Sequence, residues 1–249
     1  IEKSVAELKE RGIFKNVSYE VTEGSANNLK VINIEVEEMS TGEISAGAGV
    51  GTSGGTLALT VKENNWLGEG KSLKFDILLD EESLAGEIVY SNPNYDFLGN
   101  SLNYSVSSEK NDKPDLGYEN SVISASVGTS FEQYRNVRAY LGINASIDDL
   151  QTQNNASSSL KKQSGNFSEL AGTYNFTFDK RDRVFMPTSG SIAKFGQSIP
   201  IYADKSFIAN TLSVSAYKSL SENIIGSSKL YIATVNGVGD DDVRLSKRK

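Results

Sequence analysis

The sequence predicts a mainly β protein: an antiparallel transmembrane β-barrel portion of about eleven strands, preceded by a small α+β unit. Three observations support this prediction. From residue 43 onward, stretches of about ten residues alternate between apolar and polar side chains, which is the period of a β-strand. Turn residues separate these stretches, and no run approaches the ~18 apolar residues of a membrane-spanning helix. Residues 1–38 follow a different pattern.

That opening pattern is a short helix followed by two strands. Val5, Leu8 and Gly12 stand at helical spacing with charged residues between them, and a glycine at position 12 favours a helix end. Strand-like runs follow at 17–21 and 29–36, with a polar Ser-Ala-Asn-Asn turn between them. A unit of this size buries little core, so we expect it to be part of a larger domain.

The barrel prediction comes from both the faces and the number of the later strands. One face is apolar, and the other is rich in Ser, Asn, Thr and Gly, as lipid on one side and a polar lumen on the other would require. A soluble β-sandwich also alternates, and periodicity alone leaves both open. The predicted strands are 43–50, 55–63, 70–79, 84–92, 99–108, 119–130, 136–147, 167–179, 190–199, 206–217 and 224–235.

The connections favour the membrane barrel. Two of them, 109–118 and 148–166, are long and polar, as outer loops of membrane barrels are. Aromatic residues near strand ends fit an interfacial girdle; they are Trp66, Tyr90, Tyr95 and Phe97. An odd number of strands would leave an unpaired edge in lipid, so we expect further strands to follow Lys249 in the natural protein.

Composition excludes several classes of function. The chain has 25 basic and 32 acidic residues, a net charge of −7, which argues against a nucleic-acid partner. It has no Cys and no His, so disulfides, thiolate metal sites and Ser-His triads are absent. We therefore predict no enzyme activity, no cofactor and no metal site.

Three turn motifs and the opening segment stand in a distinctive order. The motif residues are Asn65, Trp66, Leu67, Gly68 and Gly70 in NWLGEG; Asn92 and Pro93 in NPNYDF; and Asp179, Asp182, Arg183, Pro187 and Gly190 in DKRDRVFMPTSG. In the opening LKERGIFKNVSYEV, Gly12 and Phe14 form a Gly-x-Phe pair. In this order and spacing they resemble the BamA family of outer-membrane protein assembly factors. Asn94 interrupts the Pro-aromatic step of the family's second turn.

The resemblance implies a domain organisation and a function. Residues 1–38 would be the C-terminal part of the last POTRA domain, in the periplasm. Residues 39–249 would be the N-terminal two-thirds of the barrel, in the outer membrane, with roughly eleven of the family's sixteen strands. The family assembles and inserts β-barrel clients. Implied partners are unfolded outer-membrane clients, assembly-complex lipoproteins bound through POTRA domains, and outer-membrane lipid.

The resemblance also implies a lateral gate. In the family the first barrel strand pairs weakly with the last; here that strand comprises Glu43, Ile44, Ser45, Ala46, Gly47, Ala48, Gly49 and Val50. Its small residues agree with a weak edge. A Gly-rich strand that only curves or closes the barrel is the alternative.

Other functions remain open. A POTRA-barrel translocation or secretion transporter would show the same motifs. A passive porin-like channel is disfavoured, because porins lack a POTRA module. The charge cluster of the third turn lacks a partner base or metal, so we predict that it fixes the turn.

Overall fold

The computed structural model describes residues 5, 8–9, 12–26, 28–51, 54–184, 186–221, 224–239 and 241–248. Most of the predicted opening helix lies outside these residues, as do Asn27 of the first turn and Phe185 of the third turn motif. The described strands are β1 (Phe14–Glu23), β2 (Lys30–Glu38), β3 (Gly42–Gly51), β4 (Gly54–Trp66), β5 (Lys71–Asp80), β6 (Ser83–Asn92), β7 (Ser101–Lys113), β8 (Tyr118–Tyr134), β9 (Val137–Thr152), β10 (Gly165–Asp179), β11 (Gly190–Ala203), β12 (Phe207–Ser221) and β13 (Ile224–Gly237).

Helical structure is minor in the described residues. It comprises the short helix Ser158–Lys161 and the 3₁₀ turns Pro114–Leu116 and Leu245–Lys247, besides a few residues near the start. None of the described helices has the length and apolarity to cross a bilayer.

The first two strands form a separate antiparallel hairpin. Val17, Tyr19 and Val21 pair with Val36, Ile34 and Ile32, so one face of the hairpin is apolar. Apart from Val17, these side chains are exposed. The described residues therefore leave much of this apolar face uncovered.

The remaining strands form one antiparallel sheet of eleven strands, in the order β13 to β3 without a crossover. Each strand pairs only with its neighbours in the chain, since every connection is a hairpin. In the part of the chain that the structure describes, the edge strands β3 and β13 each pair on one side only. The predicted mainly β class and antiparallel order are confirmed.

The register gives the sheet two chemically different faces. One cross-strand row is apolar throughout: Ile44, Val61, Phe75, Ile88, Val106, Ala125, Ala145 and Leu170. The neighbouring row on the opposite face is polar: Ser45, Thr60, Asp76, Glu87, Ser107, Ser124, Ser146 and Glu169. Because side chains alternate along a strand, the two rows define an apolar face and a polar face.

Several strands are longer than the sequence predicts. β7 continues to Lys113 and β9 to Thr152, so the two long connections shrink to 114–117 and 153–164. Asp149 and Gln151 lie on the apolar side of β9, and their polarity ended the predicted alternation. The backbone ladder continues there because strand pairing requires main-chain groups rather than apolar side chains.

Candidate functional site

The eight residues predicted as a gate all lie in the edge strand β3. They pair with β4 from Glu43 opposite Lys62 to Val50 opposite Gly55. The other edge of β3 carries no partner strand among the described residues. Unpaired backbone groups along a sheet edge are a template for a further strand.

The middle of β3 has little side-chain packing. A Cβ atom added at Gly47 or Gly49 would meet no heavy atom within 4 Å. Ile44 and Val50 are 77% and 93% exposed. No close approach requires these glycines, so their main effect is to weaken the strand.

The start of β3, by contrast, is fastened by side chains. The Asn64 amide donates to Glu43 Oε1 at 2.9 Å and to the Thr41 carbonyl at 3.2 Å. The Thr41 hydroxyl donates to the Glu63 carboxylate. β3 is therefore held firmly where it enters the sheet and weakly towards Val50.

The NWLGEG motif forms the turn between β4 and β5. Asn65 Oδ1 accepts a hydrogen bond from the Gly70 amide at 2.7 Å, which closes the turn. Leu67, Gly68 and Gly70 have φ angles of 58°, 75° and 66°, so three of the turn residues adopt the left-handed conformation. Trp66 pairs with Lys71 across the turn.

The NPNYDF motif lies between β6 and β7 and is closed mainly by Asp96. Its carboxylate accepts hydrogen bonds from the Leu98 and Asn100 amides at 2.9 and 3.0 Å. Asn92 Oδ1 accepts from the Asn94 amide at 3.4 Å, and Pro93 lies between them. Asp96 was not singled out from the sequence, although an Asp in a turn is a recognisable signal.

The third motif joins β10 to β11, and Asp182 organises it. Its carboxylate accepts from the Thr188 hydroxyl at 2.6 Å and from the Thr188 and Ser189 amides at 3.0 and 3.1 Å. These hydrogen bonds, with that of the Thr188 hydroxyl the strongest, lower the pKa of Asp182 from 3.8 to about 2. The Asp182 carboxylate therefore holds Thr188 and Ser189 beside residue 182 and closes the turn.

Basic residues brace the same turn. Arg181 makes a bidentate contact with Asp179 at 2.9 and 2.7 Å and donates to the Val184 carbonyl at 3.2 Å. Arg183 donates to the Met186 carbonyl at 2.8 Å. A Cβ at Gly190 would lie 2.1 Å from the Lys180 carbonyl oxygen, so this position requires glycine.

A charged cluster on the polar face was missed by the sequence analysis. Arg244 Nε donates to Asp148 Oδ2 at 2.8 Å, and both side chains are buried. The Arg244 guanidinium also stacks on Phe167 at 3.5 Å from the ring centroid. Asn120 donates to Asp148 Oδ1 at 2.6 Å. No local pattern could reveal a pair 96 residues apart.

This cluster holds the segment 241–248 across several strands. Asp241 accepts from Lys205 Nζ and the Ser206 amide, both at 2.9 Å, at the turn between β11 and β12. Lys247 contacts Glu169 on β10 at 2.8 Å. The segment therefore folds back over the polar face instead of leaving the sheet.

Comparison with known proteins identifies the class. The model of the Omp85 superfamily domain matches residues 65–248, which include all three turn motifs. The chain therefore belongs to the Omp85 superfamily, and its eleven-stranded sheet is part of an outer-membrane β-barrel of this kind.

A solved structure gives a closer likeness of fold. The chain resembles BamA from Haemophilus ducreyi lacking POTRA domains 1–3, with a TM-score of 0.79 and 20% sequence identity. The match covers 99% of this chain and 51% of that chain, so this chain spans about half of its length. The predicted resemblance to the BamA family is confirmed. In membrane barrels it is the apolar outer face that contacts lipid.

Proposed function

We propose that the chain is part of an outer-membrane protein assembly and insertion factor, and that β3 is its lateral gate. The observation that carries this proposal is the uneven attachment of β3 to the sheet. Among the described strands β3 is an edge strand fastened at its start by Asn64 and Thr41, and it has small side chains from Ala46 to Gly49.

The physical task is to place strands in lipid. An unpaired backbone group in hydrocarbon costs several kcal/mol, so a client strand cannot enter the bilayer alone. An exposed edge offers backbone hydrogen bonds to an incoming strand without demanding particular side chains. A weakly packed β3 can release its closing partner and pair with a client.

The remaining assignments follow from this role. Residues 1–38 are the C-terminal part of the last POTRA domain, in the periplasm, and the apolar face of the β1–β2 hairpin packs within that domain. The barrel portion, 39–249, lies in the outer membrane. Its partners are unfolded β-barrel clients, lipid, and lipoproteins that bind the POTRA domains. The turn motif residues close the turns β4–β5, β6–β7 and β10–β11 and have no part in the gate itself.

A disulfide tether tests the gate. Cysteines that join β3 to the closing strand of the full-length barrel should abolish insertion of an unfolded client into vesicles, and reduction should restore it. The control tether joins Ala216→Cys to Ser228→Cys, two small paired residues on β12 and β13. Normal insertion with the β3 tether formed would show that β3 is not a gate.

The same assay distinguishes an insertion factor from the alternative function, that of a translocation or secretion transporter. Such a protein would pass an extended substrate through its lumen and release it on the far side of the vesicle. Client barrels that become heat-modifiable and protease-resistant in the membrane support insertion, whereas released soluble substrate supports transport.

A further inference from the structure

A row of polar side chains crosses the otherwise apolar face of strands β10 to β13. Tyr174 pairs with Gln197, Gln197 pairs with Asn210, and Asn210 pairs with Thr234. Tyr174 lies four residues from Leu170, a member of the apolar row, so all four side chains are on the apolar face. We call this set the amide row, since its two central members are carboxamides.

Both carboxamides are surrounded by apolar side chains along their own strands. The neighbours of Gln197 and Asn210 on the same face, two positions away in each direction, are Phe195, Ile199, Ile208 and Leu212. A carboxamide at such a position faces the same surroundings as its neighbours. Hydrocarbon offers it no hydrogen bonds, so each of its donors and acceptors needs another partner.

The members of the amide row are hydrogen-bonded to one another in one direction. The Tyr174 hydroxyl donates to Gln197 Oε1 at 2.7 Å, and the Gln197 amide donates to Asn210 Oδ1. The Asn210 amide then donates to Thr234 Oγ1 at 3.3 Å. The Tyr174 ring packs against Phe195 with the ring centroids 6.1 Å apart, which fixes the start of the chain of hydrogen bonds.

This chain of hydrogen bonds leaves donors unused. A carboxamide nitrogen carries two N–H groups, and Gln197 and Asn210 each donate once. The part of the protein that the structure describes offers no partner to the second N–H of either amide or to the Thr234 hydroxyl proton. Both amides are half-buried and Thr234 is exposed. An occupant of this surface therefore needs hydrogen-bond acceptors.

The amide row descends from the loop-side edge of the apolar face. On β13 the residue that follows Thr234 on this face is Asn236, so the apolar side chains end there. On β12 Ile208 lies between Asn210 and the loop, and on β11 further apolar residues lie beyond Gln197. Because strands of membrane barrels are tilted, a row of paired residues changes depth from strand to strand. Both amides consequently lie deeper than Thr234.

The chemistry of the row selects among the possible occupants. A plain acyl chain has no acceptor below its ester group and would leave both amides unsatisfied. A head-group phosphate would call for Lys or Arg, whereas the neighbours of both amides on this face are uncharged. A stable protein interface covers about 800 Å² on each partner, but this polar feature is one residue wide. These properties fit a lipid with uncharged acceptors on its acyl chains.

We propose that the amide row binds an outer-leaflet lipid whose acyl chains carry hydroxyl groups close to the head group. This rests on the proposed function, in which the barrel portion lies in the outer membrane and the turn end of the sheet adjoins the periplasmic domain. The loop end, with the amide row, then faces the outer leaflet. The hydroxyl oxygens accept hydrogen bonds from Gln197 and Asn210, and Thr234 donates to an ester carbonyl at the boundary.

Retention of defined lipids tests the proposal. The full-length protein in detergent micelles is mixed with a synthetic diacylated glucosamine phosphate that bears β-hydroxymyristoyl chains, or with the same compound bearing myristoyl chains. Native mass spectrometry measures the fraction of protein that retains each lipid. We expect about fivefold stronger retention of the hydroxylated lipid, the factor that one additional net hydrogen bond gives. Gln197→Leu with Asn210→Leu should remove this preference, and heat-modified gel mobility shows that the variant is folded.

Thr129→Val is the matched control. Thr129 is also on the apolar face, where it pairs with Leu141, but its hydroxyl donates to the Ser101 carbonyl at 2.8 Å. This variant should keep the preference. Equal retention of the two lipids by the unchanged protein would overturn the proposal, and so would a preference that survives in the double Leu variant. Photocrosslinking from position 212 to a second membrane protein, without a lipid preference, would identify a protein interface instead.

The lipid measurement and the gate measurement are independent. Client insertion into vesicles of plain phospholipids tests the gate and requires no hydroxylated lipid. A barrel that inserts clients but retains both lipids equally would contradict the lipid site alone. A barrel that prefers the hydroxylated lipid but inserts clients with the β3 tether formed would contradict the gate alone.

Discussion

At the scale of single residues, the turns are organised by side chains that close onto their own backbone. Asp182 receives three hydrogen bonds from Thr188 and Ser189, and Asn65 receives one from Gly70. Both residues belong to motifs that the sequence made visible, since Asp and Asn in turns hydrogen-bond nearby amides. The sequence could therefore predict which residues close these turns, and which glycines the turns need.

Asp182 gives the third turn a specific pH dependence. Its folded pKa, about 2, lies below its ordinary value of 3.8, so its contribution to stability is complete above pH 4 and is lost as the pH falls towards 2. We expect Asp182→Asn to lower resistance to unfolding at pH 6 and to flatten the pH dependence between 4 and 2. Heat-modified gel mobility of the refolded barrel at each pH measures this.

Asp115→Asn, in the 3₁₀ turn between β7 and β8, is the matched control, because that carboxylate closes no turn of this kind. A pH profile of Asp182→Asn that coincides with that of the unchanged protein would contradict the assigned role.

At the scale of elements, alternation predicted the strands well only where one face of the strand is apolar. The predicted strand 190–199 begins where β11 begins, because Gly190 follows a turn motif directly. The predicted 136–147 ends short of Thr152, because Asp149 and Gln151 occupy the apolar face beyond Ile147 and end the alternation. The strand ends beyond the last apolar residues are fixed by backbone pairing, which leaves no such pattern in the sequence.

The edge strand β3 allows a direct test of the weak-gate idea. Gly47→Val with Gly49→Val adds strand propensity where there is open space, so the barrel should tolerate the change. We expect the rate of client insertion to fall several-fold, because β3 would hold its closing partner more tightly. Insertion of an unfolded client into vesicles measures this rate.

Gly86→Val is the control, since Gly86 is in a strand paired on both sides and has comparable space. An unchanged rate for the β3 double variant, with the barrel folded, would show that the glycines do not set the strength of the gate.

At the scale of the whole molecule, the segment 241–248 joins distant parts of the chain. The buried pair Arg244–Asp148 fixes it to β9, and loss of one partner would leave an uncompensated charge, at a cost on the order of 3–5 kcal/mol. The two partners lie 96 residues apart, so only the assembled sheet brings Arg244 beside Asp148.

We expect Arg244→Met to expose 238–248 to protease, while the barrel strands remain resistant. The double variant Asp148→Leu with Arg244→Met should be cleaved more slowly than Arg244→Met alone, since no charge is left unpaired. Arg248→Met, which removes an exposed side chain, serves as control. Equal cleavage of all three variants would show that the ion pair does not hold the segment. Limited proteolysis of the folded protein, followed by mass spectrometry, measures these rates.

The hairpin order of the sheet bears on how the molecule itself is built. Every strand from β3 to β13 pairs only with its sequence neighbours, and the longest connection among the described strands is 153–164. Contact order within the sheet is therefore low, and each pairing closes only a short loop. Such a sheet can form by adding one strand at a time. Each added strand then presents a free edge with which the next strand in the chain can pair. In the formation of a closed barrel, the slow step is then the pairing of the first strand with the last. That pairing closes a loop as long as the whole barrel chain.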